Sequence, residues 1–131
     1  MAEYKYPKSA RLSSKADFKA VLEYKLFSRN KIMTLYMMPN TGEKARFAVS
    51  VSSKIASAVG RNRLKRLSRE AFRLSRDSIR QKFDYLIIFS PLLSRNKSCD
   101  INKLGLKEVR DSFLELLKEW QKRFEDRQAK S

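Results

Sequence analysis

GRNRLKRLSREAFRLSR, Gly60 to Arg76, is the stretch on which the fold and the chemistry both turn. At ~100° per residue, Gly60, Leu64, Leu67, Ala71 and Leu74 fall on one narrow stripe, the spacing of a core-facing helical surface. Arg61, Lys65, Arg69 and Arg76 fall opposite, flanked by Asn62, Arg66 and Arg73. One helix therefore carries an anchor and a polycationic side. Only Glu70 stands among seven Lys/Arg in this span, so i, i+4 ion pairs within the helix cannot neutralise it. Such a face suits a polyanion.

The remainder of the chain agrees. Its 131 residues hold 30 Lys/Arg against 14 Asp/Glu, a net charge of +16, which in so small a protein points to nucleic acid or an acidic membrane surface. The charge is uneven: residues 1–102 hold 22 basic and 8 acidic side chains, residues 103–131 hold 8 and 6. No run of about 18 apolar residues and no apolar signal-peptide core is present, so a single cytoplasmic domain spanning 1–131 is expected. The one cysteine, Cys99, has no partner for an internal disulfide and no neighbours for a metal site. Histidine is absent, which removes the usual general base near neutral pH. A carboxylate-based two-metal nuclease needs converging acids, whereas Glu3, Asp17, Glu23, Glu43, Glu70, Asp77 and Asp84 are scattered singly. No catalytic residue, protein-held metal or organic cofactor is expected, and no Gly-rich phosphate loop exists.

Working outward from the basic helix, Ser57 is its expected N-cap and Gln81 its approximate end, with a break near Asp77. Arg46 to Ser52, RFAVSVS, alternates as a strand with Phe47, Val49 and Val51 toward the core and Ala48, Ser50 and Ser52 away. Lys31 to Met38 reads as a second strand, Ile32, Thr34, Tyr36 and Met38 alternating with Met33, Leu35 and Met37. Residues 39–42 form a turn, giving two antiparallel strands joined by a loop. Ser14 and Asp17 resemble a capping box ahead of a short helix carrying Phe18, Val21 and Leu22 to about Tyr24. Residues 1–13 read as a basic arm. Beyond the basic helix, Tyr85 to Phe89 is apolar on both faces, as an interior strand is, and residues 90–102 read as a loop. Leu106, Val109, Phe113, Leu116, Leu117, Trp120 and Phe124 then mark an amphipathic helix with balanced charge, and residues 125–131 are expected to fray.

The order helix, strands, basic helix, strand, helix, with the word SKIASAVGRNRLKRLSREAF (Ser53 to Phe72), resembles the protein subunit of bacterial ribonuclease P. RLSSKADF, Leu35–Tyr36, FAVSVSSK and DYLIIF support the likeness, which runs from about Arg11 to Trp120. It implies an α+β fold, a two-layer sandwich on a four-stranded sheet in αβββαβα order, similar to a ribosomal-protein RNA-binding fold with a left-handed βαβ crossover. That hand runs against the strong preference for right-handed crossovers. The family's catalyst is an RNA subunit that uses metal ions to remove the 5′ leader of precursor tRNA. The protein assists and is inactive alone.

By that resemblance, Arg61, Asn62, Arg63, Lys65, Arg66 and Arg69 contact the catalytic RNA. Arginine forks grip phosphate oxygens while staying charged. Arg63 lies off the centre of the basic arc, so an intramolecular partner competes for it. Phe18, Leu22, Tyr36, Ser50 and Lys54 match positions of a cleft for the single-stranded leader, where bases stack on aromatics; packing in the core is the competing reading for Phe18 and Tyr36. Leu22 stands where an aromatic is frequent, Ser53 where a lysine often precedes Lys54, Ala48 where glycine is frequent, and Ser90–Pro91 where arginine is common. Phe72 falls on the basic side of the wheel and is read as structural. Mg²⁺ is expected to reside mainly on the RNA, and no membrane or obligate protein partner is implied. The alternative is a ribosomal or ribosome-assembly protein with the same charge logic. A DNA-binding module lacks a helix-turn-helix pairing, and a self-sufficient nuclease lacks the acids and histidine.

Overall fold

Residues 15–89 and 104–129 are described by a computed structural model. The expected arm (1–13), Ser14, the loop carrying Ser90, Pro91 and Cys99, and the final two residues lie outside them. The elements are α1 (Lys15–Tyr24), β1 (Phe27–Arg29), β2 (Met33–Pro39), β3 (Arg46–Ser50), α2 (Ala58–Leu74), a 3₁₀ turn (Arg76–Ser78), β4 (Phe83–Phe89) and α3 (Leu106–Ala129). This is the αβββαβα order. The tail expected to fray is helical as far as Ala129.

The four strands form one sheet in the order β1-β2-β4-β3. β2 and β3 run antiparallel to each other, yet they are not neighbours: β4 lies between them, antiparallel to β2 and parallel to β3. Burial decides this arrangement. Tyr85, Leu86, Ile87 and Phe89 are all at most 2 % exposed, so β4 requires a strand on both edges and cover on both faces.

One face of the sheet presents Met33, Leu35, Met37, Phe47, Tyr85, Ile87 and Phe89 to α2 and α3. Val109, Phe113, Leu116, Leu117 and Trp120 of α3 are all buried there, and each fully buried residue of Leu or Phe size contributes about 1.5–3 kcal/mol. Trp120 stacks on Phe124 at 4.9 Å and meets Phe83 edge-on at 5.4 Å. The opposite face carries a smaller cluster, in which Val21 of α1 and Leu86 are surrounded by Phe18, Tyr36, Met38, Ala48 and Ile88.

α2 begins at Ser57, whose Oγ accepts from Gly60 N–H at 3.2 Å, the expected N-cap. Its buried stripe differs from the expected one. Leu64, Ser68, Ala71 and Phe72 are the buried residues, whereas Leu67 is only half-buried and Leu74 is 38 % exposed. At ~100° per residue the core side is turned by about 60°. Ser68 can be buried on that side because its hydroxyl is satisfied by Leu64 O at 2.8 Å. Phe72, placed by the wheel on the basic side, instead enters the core and stacks on Phe47 at 4.5 Å.

Candidate nucleic-acid interface

The rotation of α2 sorts its polar residues into three groups. Asn62, Arg66 and Arg69 are exposed and point outward. Arg73, further along this side, pairs with Glu70, whose carboxyl the Arg73 guanidinium holds below its ordinary range. Arg63 turns toward α3 and donates to Leu104 O, so the intramolecular partner anticipated for it exists. Arg61 donates to Ala56 O at 3.0 Å and braces the first turn of the helix.

Lys65 does something else. With Phe18 and Leu22 of α1, Ser50 at the end of β3, and Val49, Val51, Leu86 and Ile88, it lines a cleft of about 390 Å³. Because β3 is an edge strand, a half-buried lysine on α2 reaches the space between α1 and the sheet. The volume lies within the range of ligand sites, about 300–1,000 Å³, and so does the mixture of apolar walls with a few polar groups. Three of the five expected cleft residues, Phe18, Leu22 and Ser50, meet here. Tyr36 is not in the lining; it packs against Phe27 with ring centroids 5.1 Å apart. Lys54 is exposed on the turn between β3 and α2.

An ion-pair network that sequence inspection does not reveal ties α1 to the sheet. Asp84 is fully buried. It accepts from Arg46 Nε at 2.8 Å, Arg46 Nη2 at 2.7 Å and Asn40 Nδ2 at 2.8 Å. Arg46 Nη1 reaches Asp17 Oδ2 at 3.2 Å. The guanidinium is thus bidentate on one carboxylate and monodentate on another, and the Asp84 bonds lead the causes that raise its pKa. Asp17 precedes Phe18, so the network fixes the N-terminal end of the helix that walls the cleft. The only available signal was an Arg and an Asp at the starts of two strands, and nothing in the spacing pairs them.

Among the described residues, no three His, Cys, Asp or Glu side chains group to hold a metal ion, and no helix is long and apolar enough to cross a membrane. Asp17 and Asp84 face a cation already provided by the chain.

Comparison with known proteins agrees with this architecture. The family profile "Ribonuclease P" matches residues 6–121. The ribonuclease P protein component of Dictyoglomus thermophilum is 35 % identical over 123 residues, covering 93 % of this chain and 94 % of that protein. The one from Shouchella clausii is 35 % identical over 112 residues, 85 % of each. Among solved structures, the ribonuclease P protein of Thermotoga maritima superposes with a TM-score of 0.72 at 28 % identity, over 83 % of this chain and 96 % of that one. The Staphylococcus aureus protein gives 0.70 at 25 %, over 85 % and 94 %. With the family profile spanning most of its length, relatives above 30 % identity and the same fold in solved structures, this chain belongs to the ribonuclease P protein family.

Proposed function

We propose that this subunit of ribonuclease P binds the catalytic RNA through the outward face of α2 and holds the single-stranded 5′ leader of precursor tRNA in the cleft between α1 and the sheet. Asn62, Arg66 and Arg69 meet phosphate and sugar of the catalytic RNA. Phe18 and Leu22 give the leader an apolar wall, and Lys65 with Ser50 gives its backbone a cation and a hydroxyl. Tyr36 and Lys54 extend this surface on either side. Stacking and backbone charge discriminate bases poorly, so leader binding tolerates sequence.

The observation that carries the reading is that one helix serves both surfaces: α2 turns Arg66 and Arg69 outward and Lys65 into the cleft. A protein so built brings two polyanions together and lowers their repulsion. Cleavage belongs to the RNA subunit, with Mg²⁺ bound mainly to RNA oxygens, a manner of binding that suits an ion keeping much of its hydration. The protein alone is inactive, needs no further protein partner and works in the cytoplasm. A ribosomal or ribosome-assembly role has no observation in its favour.

Site-specific photocrosslinking in the reconstituted complex tests the assignment. A benzophenone at Ser50 is expected to capture the precursor's leader, and one at Asn62 the catalytic RNA. Exchange of the two targets, or capture of mature tRNA sequence from Ser50, would contradict it.

A further inference from the structure

α1 makes a small apolar contact with the sheet, centred on Val21 and Leu86. Among its described side chains Val21 is the one that is fully buried, and the helix lacks a basic residue in its own last turn. Lys25 just beyond it adopts φ 58°, a left-handed conformation uncommon for a residue with a Cβ. Leu22 O accepts from Lys25 N–H and Leu26 O from Met37 N–H, each at 3.3 Å, and side chains of α3 add further donors to the carbonyls of Tyr24, Leu26 and Phe27. Arg127 Nη1 donates to Tyr24 O at 3.3 Å, and its guanidinium lies 4.9 Å from the centroid of the Tyr24 ring. Trp120 Nε1 donates to Leu26 O at 3.3 Å. Arg123 Nη1 donates to Phe27 O at 2.6 Å while its Nη2 is held by Glu119 at 2.7 Å.

Residues 120, 123 and 127 form a single stripe on α3. A cation beside exposed C-terminal carbonyls is favoured by the helix dipole, so Arg127 caps α1 from another helix. Arg123 and Arg127 both lie past residue 121, where the family match ends. The helix that Arg127 caps supplies Phe18 and Leu22 to the cleft, and its other end is fixed by Asp17 and Arg46.

We propose that Arg123 and Arg127 are positioning residues for the leader: the last turns of α3 hold the α1–β1 corner and thereby set the separation between α1 and the sheet. The proposal rests on the reading of the cleft as the leader's site. Neither arginine lines the cleft, so both act through the α1–β1 corner, Arg127 at Tyr24 of α1 and Arg123 at Phe27 of β1.

The test compares reconstituted holoenzymes by titration with precursor tRNA and with leaderless tRNA. Relative to wild type, Arg123→Ala/Arg127→Ala is expected to lose ~2- to 30-fold in leader preference, the span typical of coupling through residues that touch neither ligand. Affinity for leaderless tRNA is expected to stay near wild type. Lys118→Ala/Lys122→Ala removes the same charge from exposed positions of α3 and is expected to keep the preference. Arg127→Lys retains a cation at Tyr24 and is expected to recover part of it. An unchanged preference in the arginine pair, an equal loss in the lysine pair, or a parallel fall for both ligands together with the melting temperature would overturn the proposal. A wild-type protein without leader preference would instead remove the leader assignment itself, and the proposal with it.

Discussion

Replacing Arg46 with methionine keeps most of the stem and removes the guanidinium from between two carboxylates. Asp84, fully buried, would lose both arginine bonds and keep the one from Asn40. Stripping one partner from a buried pair costs about 3–5 kcal/mol. The Arg46 side chain is 31 % exposed, which lowers the expectation to about 2–4 kcal/mol because solvent screens part of the interaction. Against a domain stability of about 5–15 kcal/mol and a urea m-value near 2 kcal/mol/M, the unfolding midpoint should fall by about 1–2 M. Adding Asp84→Asn should restore part of the loss, since the stranded charge is then gone, giving a coupling energy of about 1–3 kcal/mol in the double-mutant cycle. The assay is urea denaturation of the four proteins followed by far-ultraviolet circular dichroism. Additive losses, or a drop below about 1 kcal/mol for Arg46→Met, would refute the idea that Arg46 and Asp84 act as a coupled buried pair holding β3 to β4.

Three other predictions concern separate parts of the molecule. Arg66→Ala and Arg69→Ala should each weaken catalytic-RNA binding and flatten its log–log salt dependence by about 0.7–0.9 per lost phosphate contact, measured by filter binding across a salt series; unchanged slopes in both would remove the outward face of α2 from the interface. Phe72→Ala should cost about 3–5 kcal/mol of stability, read from the urea midpoint, while leaving the salt slope of the folded protein as in wild type. Burial pushes the Tyr85 phenol well above its ordinary range, and its hydroxyl bonds Arg80 N–H and C=O, each at 2.8 Å. The stability from this neutral phenol is complete below the unfolded value of about 10 and declines as pH rises from there toward the folded one. Urea unfolding at pH 8 and pH 11 should therefore show a larger alkaline loss in wild type than in Tyr85→Phe, and equal losses would contradict the assignment.

Features set by local rules are legible in the sequence. Ser57 announces α2, the apolar run 85–89 announces an interior strand, and Val109 to Trp120 announces α3; each follows from capping, two-sided burial or a helical period. Long-range choices are not legible in the same way. β1 is three residues long and exists because Phe27, Ser28 and Arg29 pair with Tyr36, Leu35 and Thr34, while Ser28 Oγ donates to Leu116 O at 2.8 Å across the domain. The insertion of β4 between β2 and β3 depends on pairing partners about 38 residues or more apart. The helical wheel misjudges the core side of α2 because it counts hydrophobicity and misses a buried serine satisfied by its own helix. That same error puts Lys65 on the outward arc, although the rotated helix delivers it to the cleft. Tyr36 and Phe18 both alternate or repeat as core residues do, and only the position of α1 distinguishes the one in the cleft lining from the one beside Phe27.

Cleavage of 5′-labelled precursor tRNA by the cognate ribonuclease P RNA at low Mg²⁺ bears most directly on the account, performed with RNA alone, protein alone, and both. Little cleavage is expected from RNA alone under these conditions, none from protein alone, and correct 5′ processing when the two are combined. Equal rates with and without folded protein, or cleavage by the protein by itself, would contradict it.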